Sequence, residues 1–267
     1  MSDLVQRAGR ARPGELQRAA EIATCDPVWS AMRAEAGAIA DAEPVLASFL
    51  YATVLQHDRL EQALAFQLAQ KLGTNDLGPM MVRQIFDEAF MSRPEIGDEV
   101  RADLVAVRER DPASRSYVEP MLYFKGFHAL ESYRVAHWLW REGRTSLALY
   151  VQNLISERFG VDIHPAARIG RGVLVDHGTG IVIGETAVVE DEVSMLQGVT
   201  LGGTGKEAGD RHPKIRRGVL LGAGSTVLGN IEVGEFSRVA AGAVVLEAVP
   251  PRCTVVGVPA RPVGCAG

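Results

Sequence analysis

Residues 163–204 read IHPAAR IGRGVL VDHGTG IVIGET AVVEDE VSMLQG VTLGGT, and residues 215–250 read IRRGVL LGAGST VLGNIE VGEFSR VAAGAV VLEAVP. These are thirteen hexads, each opening on Ile, Val, Leu or Ala. Neither a helical period of 3.6 nor a strand period of 2 explains a strict return at every sixth residue with Gly or polar residues between. A solenoid does. Each hexad is then a short strand plus a turn, its leading residue points inward, and Gly, Asn or Asp takes the turn positions that are awkward for a residue with Cβ. Three hexads close one triangular coil of about 18 residues. Stacked coils set their aliphatic residues about 4.8 Å apart in columns that need no aromatic residue.

Composition divides the chain near residue 160. Fifteen of the sixteen aromatic residues precede it and only Phe236 follows, whereas twenty of the 28 glycines lie from Gly160 onward, so two architectures are joined. A chain of 267 residues is long enough for both to have cores. The net charge of −5 and the lack of a long basic run argue against nucleic acid as a partner. No apolar run approaches membrane-spanning length and the N-terminus lacks the apolar core of a signal peptide, so a cytoplasmic protein without membrane contact is expected. Cys25, Cys253 and Cys265 are odd in number and show no CxxC spacing, which is read as reduced thiols rather than a disulfide frame or a zinc site.

Residues 1–25 carry scattered arginines among Ala, Gly and Pro and are expected to form a flexible extension. From residue 26 to 160 the periodicity is helical. Asp26 is placed to cap a first helix with Pro27 at its first position. Further helices are expected over 43–55, 59–72, 80–91, 95–109, 122–142 and 146–158, broken by Gly73, Gly78, Pro94 and Gly143. His57, His128 and His137 are read as packed or capping histidines, and the Tyr123, Phe124, Phe127, Tyr133, Trp138 and Trp140 cluster as packing. The expected fold is therefore α+β in two domains. An all-helical, oligomerising domain over 26–160 precedes a left-handed parallel β-helix of hexapeptide repeats over 161–250, and residues 251–267 form a tail.

The one break in the hexads is GKEAGDRHPK, 205–214, a loop that leaves the coil and returns at Ile215. Insertions of this kind on repeat proteins tend to carry binding surfaces, and Lys206, Asp210, Arg211, His212 and Lys214 supply charge. A solvated loop is the plain alternative. The hexad VDHGTG sets Asp176 and His177 where neighbouring hexads carry Gly or small polar residues. An imidazole accepts and returns a proton near neutral pH when a carboxylate holds its tautomer, and Asp162 and Asp176 are both candidates. A lone His-Asp pair is equally read as a surface turn.

VDIHPAARIGRGVLVDHGTGIVIGETAV, VTLGGTGKEAGDRHPKIRRGVLLGAGSTVLGNIEVG, RDPA at 110–113 and LYFKGFHALESYRVAHWLW together closely resemble the serine O-acetyltransferase family of hexapeptide-repeat acyltransferases, from about Pro27 to Val263. The resemblance implies transfer of acetyl from acetyl-CoA to the hydroxyl of L-serine, for cysteine biosynthesis, by a general-base mechanism with no acyl-enzyme and no metal. It carries His177 over as the base and Asp162 as its partner. Arg211 and His212 take the substrate carboxylate, and Asp111 and Asp176 the ammonium. Acetyl-CoA is expected between two chains near Gly203, Thr204 and Ala223. The family further implies trimers or dimers of trimers and feedback inhibition by L-cysteine. The ending RPVGCAG lacks the terminal Ile by which family tails enter O-acetylserine sulfhydrylase, so tight complex formation with that enzyme is not expected.

Three other readings compete. An acyltransferase of this kind could act on another hydroxyl, such as homoserine or a sugar. A zinc site of the γ-carbonic anhydrase kind would use His164, His177 and His212. An inactive scaffold would leave His177 and the 205–214 loop without a purpose.

Overall fold

The computed structural model describes residues 26–206 and 208–266; the extension expected over 1–25 lies outside the described residues. Helix α1 (Pro27–Ala42) begins as the sequence implies, with Asp26 Oδ1 accepting from the Trp29 amide at 3.0 Å. The next segment is not one helix. It passes through a 3₁₀ turn (Pro44–Leu46), the short α2 (Ala47–Leu50) and a π turn (Tyr51–Leu55). Then follow α3 (Leu60–Leu72), α4 (Pro79–Ser92) and α5 (Glu95–Arg110).

The helix expected over 122–142 is likewise two. Helix α6 (Val118–Tyr123) and α7 (Lys125–Arg141) meet at Phe124, whose extended backbone (φ −85°, ψ 106°) breaks the hydrogen-bond ladder. The break lets α7 start against the solenoid, where Gly126 packs on the carbonyl of Val175 so closely that a Cβ there would lie 2.2 Å from the oxygen. Helix α8 (Thr145–Phe159) ends on Gly160 in the left-handed conformation (φ 67°, ψ 30°), and the first strand starts at the next residue.

The solenoid has three faces of parallel strands. The first stacks β1 (Val161–Ile163), β4 (Ile181–Ile183), β7 (Thr200–Gly202), β10 (Thr226–Leu228) and β13 (Val244–Val245). The second stacks β2 (Arg168–Ile169), β5 (Val188–Val189), β8 (Lys214–Ile215) and β11 (Glu232–Val233). The third stacks β3 (Leu174–Val175), β6 (Ser194–Met195), β9 (Leu220–Leu221), β12 (Arg238–Val239) and β14 (Cys253–Val256), and β15 (Arg261–Cys265) closes it antiparallel to β14. Down the first face Ile163, Ile183, Leu201, Val227 and Val245 lie in register, all buried. Equivalent columns run Ile169, Val189, Ile215, Val233 and Val175, Met195, Leu221, Val239, Val255.

Two excursions interrupt the coil, where the hexads suggest one. Val182 pairs with Thr200, eighteen residues on, but Val161 pairs with Ile181, twenty residues on. The turn between β3 and β4, which contains DHGTG, thus holds two extra residues. The loop between β7 and β8 stretches the next coil further, since Thr200 pairs with Thr226. The first excursion is hidden in the sequence because each coil corner buries residues at two alternate positions. Val161, Ala167 and Val173 are buried as well as Ile163 and Val175, so a shift of two residues exchanges one aliphatic column for the other and the period of six appears unbroken.

The cysteine reading needs correction. Cys253 and Cys265 form a disulfide with their Cα atoms 4.0 Å apart. Their spacing has no motif because the bond depends on β15 turning back to pair Cys265 directly opposite Cys253. Among the described residues, no helix is long and apolar enough to cross a membrane.

Candidate active site

Three corners join the three faces, and they sort the candidate residues. The corner between the third and first faces is the turn 176–180. Its backbone is tied at both ends: the Asp176 amide donates to Met195 O at 2.9 Å, Gly180 to Gly160 O at 2.7 Å, and Gly198 to Thr179 O at 2.9 Å. His177 sits in the left-handed region at φ 56°, flanked by Gly178 and Gly180 at φ 77° and 80°. Such a backbone costs a residue with Cβ about 1–2 kcal/mol, which surrounding contacts must offset. The packing of α7 supplies them. A Cβ on Gly178 would lie 3.0 Å from Gly126 Cα, and Lys125 Nζ donates to Thr179 Oγ1. The strained turn pushes the imidazole outward: its side chain is 71% exposed, and Asp176 Oδ1, at 3.8 Å from Nε2, is its recorded partner.

The corner between the first and second faces gathers a different set. Arg211 Nη2 donates to Glu185 Oε2 at 2.7 Å and Nη1 to Gly209 O at 3.0 Å. The Arg211 guanidinium lowers the Glu185 carboxyl from its ordinary value by that hydrogen bond. His212 is buried, and its ring fills the space a Cβ on Gly184 would need, 2.0 Å from Nε2. His212 Nδ1 accepts from the Thr186 amide at 3.1 Å and stands 2.8 Å from Thr186 Oγ1. Burial, then the charge of Arg211, lowers its pKa. His212 is therefore a neutral imidazole with its proton on Nε2, a donor beside the Arg211 cation. His164 shares the corner, its ring edge-on to Trp140 at 5.1 Å, and burial lowers its pKa too. Gly203 and Thr204 lead from β7 into the same loop, with Gly203 against the Arg211 side chain.

Asp162 lies mid-strand on β1, where Oδ1 accepts from Gln152 Nε2 at 2.7 Å. Ala223 belongs to the His177 corner, further along the stack, with its carbonyl accepting from Gly242 at 2.8 Å. Asp111 ends α5 and accepts from the Ala113 amide at 2.8 Å. Its neighbour Arg110 donates to Gly172 O, to Glu192 O at 2.6 Å and to Ser194 Oγ at 2.9 Å, which holds that helix end against the second and third faces.

The structure thus unites Arg211 with His212 and Asp176 with His177, but joins neither pair to the other through a contact in one chain. His177 is also at a different corner from His164 and His212, and no cluster of three or more metal-ligating side chains occurs among the described residues. Gln152, Glu185 and Thr186 were not singled out by sequence reasoning. Glu185 and Thr186 look like ordinary turn residues of the hexad IVIGET, and only the path of the loop brings Arg211 and His212 to them. The one available signal for the long turn was the change from small to larger aliphatics between the two inward positions, Ala187 and Val193 against Val189 and Met195.

Known proteins resemble this chain in sequence and in fold. Residues 28–132 match the family model for the N-terminal part of serine acetyltransferase. The serine acetyltransferase of Salmonella typhimurium (strain LT2) is 56% identical over 240 residues, 90% of this chain and 88% of its own. A serine acetyltransferase from Brucella abortus strain S19, solved in complex with coenzyme A, matches with a TM-score of 0.90 at 52% identity over 92% of this chain and 98% of that one. Another, solved in complex with cysteine, matches at 0.88 and 55% identity over 89% and 99%. A solenoid of this register, capped by these helices and 56% identical to a known member across nine-tenths of its length, belongs to the serine acetyltransferase family of acyltransferases.

Proposed function

We propose that this chain transfers the acetyl group of acetyl-CoA to the hydroxyl of L-serine, giving O-acetyl-L-serine and CoA, and that each active site is assembled from two chains. The observation that carries the reading is the division of groups between corners. An exposed base, His177, stands on one edge with Asp176, and a preformed clamp for a carboxylate, Arg211 with His212, stands on another. A second copy laid edge to edge would bring one chain's base to its neighbour's clamp. That arrangement needs a cyclic assembly, for which a trimer, or two trimers joined through the helical domains, is the form proposed.

Each group then has a chemical task. Arg211 and the Nε2 proton of His212 hold the serine carboxylate, while Asp111 and Asp176 receive its ammonium, which leaves the hydroxyl toward His177. Asp162, presented by the neighbouring chain, orients the imidazole. His177 takes the hydroxyl proton as the oxygen attacks the thioester carbonyl. The tetrahedral intermediate then collapses, and the thiolate of CoA leaves with the proton returned by the imidazolium. No acyl-enzyme is formed.

The CoA complex of the Brucella abortus relative supports acetyl-CoA as the donor; in this proposal it lies between Gly203 and Thr204 of one edge and Ala223 of the other. The cysteine complex of another relative supports feedback inhibition at the serine site, because cysteine carries the same ammonium and carboxylate.

Thiol release from acetyl-CoA is to be followed with serine, homoserine and a panel of sugars. Serine is expected to be preferred, and His177→Ala to lower turnover on the order of 10²–10⁴-fold with folding intact. Preference for homoserine or a sugar would overturn the assigned acceptor. Wild-type turnover in the folded variant would overturn the base.

A further inference from the structure

One side chain of the helical domain touches the proposed partner of the base. Gln152, on α8, donates from Nε2 to Asp162 Oδ1 at 2.7 Å. Ten residues separate them, and the reversal between is rigid. Gly160 closes α8 in the left-handed conformation with its amide on Ser156 O at 2.9 Å, and its own carbonyl takes the Gly180 amide at 2.7 Å. The helix that carries Gln152 and the strand that carries Asp162 therefore meet at one fixed backbone junction. Asp162 Oδ2 accepts no hydrogen bond from a described residue.

We propose that Gln152 is a positioning residue for the acetyl transfer: it anchors the Asp162 carboxylate by one oxygen, so that the other is presented in a fixed direction to the neighbouring chain's imidazole, which acts as base. The inference rests on the reading of Asp162 as the partner of His177. A primary amide suits the task. It holds one carboxylate oxygen by a hydrogen bond without cancelling the charge, as Lys or Arg would, and a half-buried Asp left without an anchor turns freely about its two side-chain torsions. Groups that orient a reacting side chain in this way typically govern about 10–100-fold in activity.

The test compares Gln152→Leu, Gln152→Glu, Asp162→Asn and the double variant Gln152→Leu/Asp162→Asn, with melting curves for each. Gln152→Leu is expected to lower kcat about 10-fold while both KM values stay within about 2-fold, since no substrate contact is lost. Gln152→Glu keeps the shape but donates only while its new carboxyl is protonated. Its kcat should lie nearest the wild type at the acid end of the profile and fall as pH rises, a dependence that a change in packing alone would not produce. In the double variant, loss of Gln152 should add nothing to the effect of Asp162→Asn. Wild-type kcat and pH profile in folded Gln152→Leu and Gln152→Glu, or a full further loss in the double variant, would overturn the inference. Unimpaired Asp162→Asn would instead overturn the reading of Asp162 on which it rests.

Discussion

Arg211 already holds a carboxylate: Glu185 lies 2.7 Å from Nη2, and the pair is only partly shielded, with side-chain exposures of 31% and 40%. An ion pair so exposed contributes little to stability, so its evident use is to hold the guanidinium in one place. The geometry leaves Nε without a recorded partner while Nη1 and Nη2 are engaged. A substrate carboxylate approaching this fork gains a charge-assisted hydrogen bond worth about 1.5–3 kcal/mol, close to 10- to 100-fold in affinity. Arg211→Ala is therefore expected to raise the serine KM by that order while the acetyl-CoA KM moves far less. Steady-state kinetics with each substrate varied in turn checks this, and equal effects on both would mean that the loop serves structure only.

At the scale of elements, the decisive contact is α7 against β3. Gly126 has no room for a Cβ, because the obstacle is the backbone oxygen of Val175 at 2.2 Å and not a side chain that could rotate away. Gly126→Ala must displace either the helix start or the strand, at a cost typical of overpacking, about 1–3 kcal/mol. The same displacement reaches the 176–180 turn through Gly178, so the folded fraction of the variant should also turn over more slowly. Gly37, inside α1, is the control. A Cβ there meets nothing within 4 Å, so Gly37→Ala should leave activity untouched and raise stability slightly through helix propensity. Thermal melting and kcat on the two variants distinguish them; equal behaviour would show that α7 does not set the turn.

Across the whole molecule, the helices do for the first coil what another coil does for the rest. The first coil has no preceding turn to satisfy its backbone, and side chains from α5 and α7 take that place. His137 Nδ1 donates to Pro165 O at 2.7 Å, Tyr133 donates to Ala167 O, and Arg134 Nη2 donates to Gly170 O at 2.8 Å. Asp103 Oδ1 accepts from the Val173 amide at 2.7 Å. Arg134 is fully paired in the interior, to Asp103 and, at 2.9 Å, to Glu99. Burial first and the Asp103 charge second push the Glu131 carboxyl well above the ordinary range. This buried polar seam fixes the helices to the solenoid in one orientation, so the two edges of each chain face outward at a constant angle. If neighbouring chains share sites across those edges, mixing two defective variants should restore function. His177→Ala and Arg211→Ala, each inactive or weak alone, are expected after co-refolding at equal amounts to regain intact sites at about a quarter of positions by random assortment of chains. Activity no higher than the mean of the two parents would place both groups of one site in a single chain.

What the sequence determined is what repeats. Thirteen aliphatic hexad openings impose a solenoid because no other backbone buries a residue at every sixth position. The join to the helices, the DHGTG turn and the 205–214 loop are visible for the same reason, as changes in composition or pattern along the chain. Tertiary structure alone decided the rest. The two-residue lengthening of the DHGTG coil leaves only a change of aliphatic size, because both inward columns are aliphatic. The Cys253–Cys265 bond depends on a strand reversing direction at the end of the stack. Gln152 and Glu185 gain their meaning from partners ten and 26 residues away, Asp162 and Arg211, and hydrogen bonds at such separations leave no periodic mark. The sequence also names the candidate base and the candidate clamp without saying that the coil sets them on different corners, since position around a solenoid is set by accumulated turn lengths rather than by any residue's own chemistry.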